Sequence, residues 1–299
     1  MKREKKLTVI IARRLLTLPL FLADTAIAAD MTPKLRYLLL TLALLIAFAG
    51  RAEANPELSI ERLTWAGIKM VAGDTTVFID AVGTDIWDGN APEGFVPVEA
   101  DTRRRYALVT HAHNDHLDVA TLKRVLGERG YVIVHEDLAT YIASRGLRVI
   151  PAATYEPVER GGFLFTAVPA VDGFGEEQVS WIITRGKQRY LHAGDTLWHG
   201  KWGQTGAQYG PFDAVFLPIN GARLQSSPMV ETPGTMTPAQ AIDAALLLNA
   251  EHLVPIHYGL NDPPHYVEVP DPVGSLRSKA AARGVSVLHV LPGQRLNID

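Results

Sequence analysis

Three features of the chain predict an α/β sandwich, two β-sheets face to face with helices outside. Strand-like runs come first and then alternate with helical ones; short Gly, Pro or charged turns separate them; and several strands end on metal-ligand residue types. Leu58 to Trp65 and Ile68 to Asp80 read as an opening hairpin with Ala66-Gly67 near its turn, the second strand closing on an acid. A Gly/Pro-rich loop covers residues 83–97, and Tyr106 to Thr110 forms a short apolar strand. Val119 to Glu128 has helical spacing, Tyr131 to Val134 is strand-like and Asp137 to Ser144 is helical.

Strand patterns return at Phe163 to Val171, Val179 to Thr184, Gln188 to Leu191 and Asp213 to Ile219. Thr237-Pro238-Ala239-Gln240 opens a helix, with Thr237 as N-cap, Pro238 in the first position and apolar spacing through Ala250. His252 to Ile256 is a strand, Ser275 to Arg283 a helix and Val285 to Leu291 a last strand.

The chain has 299 residues, a formal charge of -3 and no cysteine. Near-neutral charge without a basic block argues against nucleic acid as the main partner. The lack of cysteine excludes disulfides, thiol nucleophiles and Cys-ligated zinc, so any metal is held by nitrogen and oxygen. From Met31 a basic start, an apolar run from Tyr37 to Gly50 and Ala52-Glu53-Ala54 form the three parts of a secretory signal. Residues 1–54 are therefore expected to be a targeting segment removed after Ala54, with residues 1–30 an over-extended start. The remaining 55–299 would form one exported, periplasmic domain with no stable membrane span. The rival reading is an N-terminal membrane anchor that is retained.

Thr110-His111-Ala112-His113-Asn114-Asp115-His116 packs three of the ten histidines and an aspartate into one short segment. In an extended chain His111 and His113 share a side, while Asp115 and His116 can reach a second point at the following turn. Such a loop can serve two adjacent cations, imidazole and carboxylate being common ligands of zinc and its neighbours. Asp195, in His192-Ala193-Gly194-Asp195-Thr196, and His257, in Pro255-Ile256-His257-Tyr258-Gly259, also follow apolar strands. Gly194 there permits close backbone approach.

His-x-His-x-Asp-His, then His-Ala-Gly-Asp-Thr and Pro-Ile-His-Tyr-Gly, resembles the metallo-β-lactamase superfamily. Phe216 to Gly221 and the helix beginning Met236-Thr237-Pro238 are similar to its ascorbate-6-phosphate lactonase-like branch. The resemblance, from about Ile60 to Leu291, implies an αββα sandwich with a two-metal site at the sheet edges. It implies that His111 and His113 bind one metal, that Asp115, His116 and His257 bind the other, and that Asp195 bridges them. Where the family carries a further histidine, this chain has Asp172, after Val168-Pro169-Ala170-Val171. Three explanations stand: Asp172 ligates directly, another histidine such as His199 or His265 folds in, or the enzyme works with one metal.

The chemistry implied is hydrolysis by a metal-bridging hydroxide, on an ester, lactone or phosphodiester of a small molecule. Asp115 would be the catalytic proton carrier. Two divalent ions, zinc first and manganese or iron as alternatives, are the expected cofactors. Asn220 and Tyr258 are candidates to hydrogen-bond a substrate. The Trp198 to Trp202 loop could wall the pocket, and His192 is expected to support the Asp195 turn. No Gly-x-Ser-x-Gly elbow, phosphate-cradling loop or dinucleotide fingerprint is present. The alternatives are a phospholipase-D-like phosphodiesterase acting on envelope lipid and a non-catalytic metal-binding scaffold.

Overall fold

The computed structural model describes residues 57–298 apart from 88, 90, 93, 225–231 and 261, together with Thr32 and Lys34. The expected targeting segment, 1–54, lies outside the described residues except for those two. Among the described residues no helix is long and apolar enough to cross a membrane.

The first sheet contains β1 (Ser59–Arg62), β2 (Ile68–Ala72), β3 (Thr75–Ile79), β4 (Arg104–Leu108), β5 (Tyr131–His135) and β6 (Val149–Ala152), side by side in that order. The second runs from β7 (Pro157–Arg160) through β8 (Phe163–Pro169), β9 (Val179–Arg185), β10 (Gln188–His192) and β11 (Phe212–Pro218). A small separate ribbon pairs β12 (Arg223–Leu224) with β14 (Tyr266–Val267). The second sheet continues from β11 to β13 (Ala250–Ile256) and β15 (Ser286–Val287), while β16 (Arg295–Leu296) returns to the first sheet beside β1. Each sheet begins antiparallel and turns parallel, from β3 onward and from β10 onward. Parallel neighbours need crossovers, and all but the one from β3 to β4 carry an α-helix: α1 (Val119–Leu126), α2 (Glu136–Ser144), α3 (Trp202–Tyr209), α4 (Pro238–Leu247) and α5 (Pro272–Arg283).

Strand alternation builds three layers of core. In β11, Ala214 and Phe216 point between the sheets, against Val77, Ile79 and Leu108 of the first sheet. Val215 and Leu217 point outward, beneath Ala241, Ile242 and Leu276 of α4 and α5. Likewise Ile133 of β5 faces inward, while Val132 and Val134 meet Leu122, Val125 and Ile142 of α1 and α2. The continuous apolar runs thus belong to strands covered on both faces. This is the expected αββα sandwich.

Several boundaries differ from expectation. Ile68 to Asp80 is two strands, not one, because Gly73 turns with φ 55°. The helix opened by Thr237, with a complete capping box to Gln240, ends at Leu247. Asn249 (φ 54°) reverses the chain, and Ala250 already belongs to β13. Trp202 opens α3, a helix whose Gly-interrupted sequence hid it. Val285 to Leu291 contributes only a two-residue strand, and the true last strand is β16.

Gly206 is where α3 presses on the end of α4: a Cβ there would lie 2.0 Å from the Leu247 carbonyl oxygen. Since backbone cannot move aside, Gly206→Ala is expected to cost about 3 kcal/mol, the upper end for overpacking. An unchanged urea midpoint would contradict this packing.

Candidate metal centre

The parallel strands bring the site together, because their C-terminal ends lie on one edge. The loops after β3, β4, β10 and β13 deliver Asp80, His111 to His116, Asp195 and His257. Two groups of ligand-type atoms result. His111, His113, Asp172 and Asp195 converge in one; Asp115, His116 and His257 converge in the other. His199 and His265 join neither; His199 stacks on Trp202 at 4.1 Å and His265 is exposed.

Asp195 stands between the groups. Its Oδ1 is 3.5 Å from His111 Nε2, and its Oδ2 is 3.8 Å from His116 Nε2 and 3.7 Å from His257 Nε2. Asp115 Oδ2 lies 3.5 Å from His257 Nε2 and 3.7 Å from His116 Nε2. Asp172 Oδ1 is 3.6 Å from His113 Nδ1. Two donors about 2.1 Å from one tetrahedral zinc are roughly 3.4 Å apart, so these spacings suit the edges of coordination polyhedra.

The buried polar atoms also fit a metal. His116 Nε2 and His257 Nε2 are buried without a hydrogen-bond partner among the described residues, a costly state unless something binds there. His111 Nε2 and His113 Nδ1 face one another at 2.9 Å, which requires a shared proton or cation. Burial pushes the His111 imidazole down to about 4, against the pull of Asp195, so it stays neutral and able to donate its lone pair.

Beneath the ligands sits Asp80. Its Oδ2 accepts from His116 Nδ1 (2.8 Å) and from Thr110 Oγ1 (2.7 Å), and its Oδ1 accepts from the Thr110 N–H (2.9 Å). The Thr110 hydroxyl has spent its only proton, so it accepts from His111 Nδ1 at 3.0 Å. One carboxylate thereby sets the tautomers of a histidine in each group, leaving both Nε2 lone pairs for metal.

A model of the β-lactamase superfamily domain matches residues 75–258, more than half of the chain. The chain belongs to the metallo-β-lactamase superfamily. Among relatives, a UPF0173 metal-dependent hydrolase of Methanoculleus marisnigri is 29% identical over 209 residues, 66% of this chain and 80% of that protein. Another, from Thermococcus kodakarensis, is 29% identical over 77% of this chain and 95% of its own. The fold is shared with Igni18, a metallo hydrolase of Ignicoccus hospitalis (TM-score 0.58, 19% identity, 80% of this chain and 97% of that one). It is shared too with CmlA, a diiron β-hydroxylase of Streptomyces venezuelae (TM-score 0.63, 18% identity, 81% of this chain and 54% of that one).

Around this superfamily site stand supports that the sequence did not announce. Trp65 Nε1 donates to Asp115 Oδ2 (3.0 Å), and its ring packs on His257 with centroids 4.0 Å apart. Gln178 Nε2 donates to Asp195 Oδ1 (2.8 Å). Gly194 has φ 66°, and a Cβ there would lie 2.7 Å from Gln178 Nε2, so the close approach expected of it is real. His192 accepts from the Gly194 N–H and donates to Ala66 O, holding the Asp195 turn as expected.

Two expected substrate contacts need correction. His257 has φ 56°, and the chain turns Tyr258 away from the metal ligands. The Tyr258 hydroxyl accepts from Arg62 and pairs with His289 Nε2 (2.9 Å), lining a separate cavity. Asn220 is fully buried and holds other side chains instead of facing the pocket. The residue that does face it is Tyr266, in a cavity of about 370 Å³ with Asp115, Asp195, His257, Phe174, Glu176 and Leu224. Trp198 and Trp202 are not among its lining residues.

Asp80→Asn is expected to lower zinc affinity 10–100-fold with the far-UV spectrum unchanged, as for other outer supports of metal ligands. Chelator competition measures it, and wild-type affinity would remove Asp80 from that role. A second expectation concerns protons. Burial lowers the His116 pKa, but Asp115, Asp195 and Asp80 outweigh it and raise it to about 10 in the metal-free protein. A raised value stabilises the metal-free fold fully below the ordinary value near 6.5, and this contribution fades as pH climbs through about 10. Zinc uptake at pH 8 must displace that proton, so calorimetry in buffers of different ionisation enthalpy should record release of about one proton from this group.

Proposed function

We propose that this metal-dependent hydrolase cleaves an uncharged ester or lactone of a small molecule. The observation that carries the reading is the charge of the cavity. No Lys or Arg lines it among the described residues. Two divalent ions facing the carboxylates of Asp115, Asp172 and Asp195 would keep one unit of positive charge, which Glu176 at the mouth offsets. Apart from the ions themselves, a phosphodiester anion finds no cationic side chain to clamp it there. Phe174 and Leu224 offer an apolar wall for an acyl or ring carbon chain. The likeness of Phe216 to Gly221 and of the Thr237 helix to the ascorbate-6-phosphate lactonase-like branch supports a lactone as the bond cleaved, whereas the cavity lining supports an uncharged substrate over a phosphorylated one.

A bound divalent pair supplies an acidified water and polarises the bond under attack. Asp115, oriented by Trp65, takes the nucleophile's proton and returns it to the leaving group. Zinc is the proposed metal, on the nitrogen-rich ligand set. The Asp172 carboxylate makes the first position harder and extends its range to manganese and iron(II), and the diiron CmlA shares the fold. Export to the periplasm is proposed on the basic, apolar and Ala-x-Ala pattern of residues 31–54.

The test is metal analysis of the protein beginning at Asn55, with turnover of aryl esters, lactones and bis(p-nitrophenyl) phosphate. About two equivalents of metal and ester or lactone turnover at least tenfold above the phosphodiester are expected. Phosphodiester turnover alone would establish the lipid phosphodiesterase alternative; bound metal with no turnover of any class would establish the scaffold. Asp195→Ala should lose metal and activity together, and full activity in that variant would remove the bridging role. Asp172→His should hold zinc at least as tightly as the natural residue and manganese and iron(II) less well; an unchanged preference among the three metals would count against ligation by Asp172.

A further inference from the structure

The hydroxyl of Tyr266 is oriented by a chain of hydrogen bonds running into the cavity wall. Thr235 Oγ1 donates to Asn220 Oδ1, which fixes the amide so that its NH₂ faces the other way. One amide proton goes to the Tyr266 hydroxyl at 2.6 Å and the other to Glu268 Oε1 at 3.3 Å. An amide nitrogen only donates, so the Tyr266 oxygen is the acceptor and its own proton remains to be given. Asn220 is the only hydrogen-bond partner of that hydroxyl among the described residues.

The backbone of Tyr266 is held as firmly as its oxygen. It exchanges two hydrogen bonds with Asp262 (2.8 and 2.9 Å) and pairs with Leu224 across the small ribbon. Both Leu224 and Tyr266 line the metal cavity. Burial raises the Tyr266 pKa well above its ordinary value, and the Asp115 and Glu268 carboxylates raise it further, so the phenol is neutral and keeps its proton.

We propose that Tyr266 is a catalytic residue, donating a hydrogen bond to the substrate carbonyl oxygen as it becomes an oxyanion, with Asn220 and Thr235 as its positioning residues. The assignment rests on the ester or lactone reading above. As the bond from the attacking hydroxide to the carbonyl carbon forms, the carbonyl π pair moves onto oxygen, where the Tyr266 O–H meets it without giving up its proton. Collapse restores the carbonyl and breaks the bond to the leaving alkoxide, which takes the proton carried by Asp115. A donor fixed in advance strengthens with the developing charge and costs no reorganisation.

The experiment compares metal-loaded wild type with Tyr266→Phe, which keeps the ring and removes only the hydroxyl. On the ester or lactone that wild type turns over, kcat should fall on the order of a hundredfold with KM and metal content unchanged. Phenylboronic acid, which becomes tetrahedral and anionic in such sites, should lose affinity in the variant by a comparable factor. Thr235→Ala should give a smaller loss of the same pattern. An unchanged kcat overturns the assignment, as does a loss confined to KM, or a loss of metal in Tyr266→Phe. Wild type inert towards every ester and lactone while hydrolysing the phosphodiester overturns the substrate reading and Tyr266's role together, an outcome visible before the variant is made.

Discussion

The Asp80 carboxylate is the interaction on which the metal centre depends. It is fully buried, carries a left-handed φ of 43°, and receives His116 and Thr110 at once. A buried carboxylate is costly unless its oxygens are satisfied, and here the groups that satisfy it are a candidate metal ligand and the residue holding another. The burden of burying the charge is thereby converted into orientation of two imidazoles. His257, also left-handed, shows the same pattern of local strain placed at a site that the surrounding sheets enforce.

Much of the fold was legible because its strands are covered on both faces and end in recognisable ligands. The apolar runs of Asp213 to Ile219 and His252 to Ile256 fall within two residues of β11 and β13. The Thr237 cap is correct to the residue, since helix capping is a local device that tertiary contacts do not alter. The failures are of another kind. The Gly73 turn, the end of α4 at Leu247 and the return of β16 to β1 depend on where the chain must go next, which short-range periodicity does not encode.

The same division runs through the site. His111, His113, Asp115, His116, Asp195 and His257 were legible because ligand types cluster after apolar strands, and Asp172 meets them in space. Asp80 carried the same signal, an acid closing a buried strand, but with no second ligand beside it. Trp65, Gln178 and Tyr266 carried none, since their roles come from packing against residues far along the chain. Tyr258 misled because adjacency to His257 in sequence says nothing of direction once the backbone reverses. Asn220 misled more subtly: it is in the polar network, one hydrogen bond behind the side chain that faces the cavity.

The candidate ligands are split between the two sheets. His111, His113, Asp115 and His116 follow a strand of the first, whereas Asp172, Asp195 and His257 follow strands of the second. Neither half of the polypeptide carries the whole candidate set, so a cation held by either group would be gripped by both sheets at once and would rivet the two layers together at that edge.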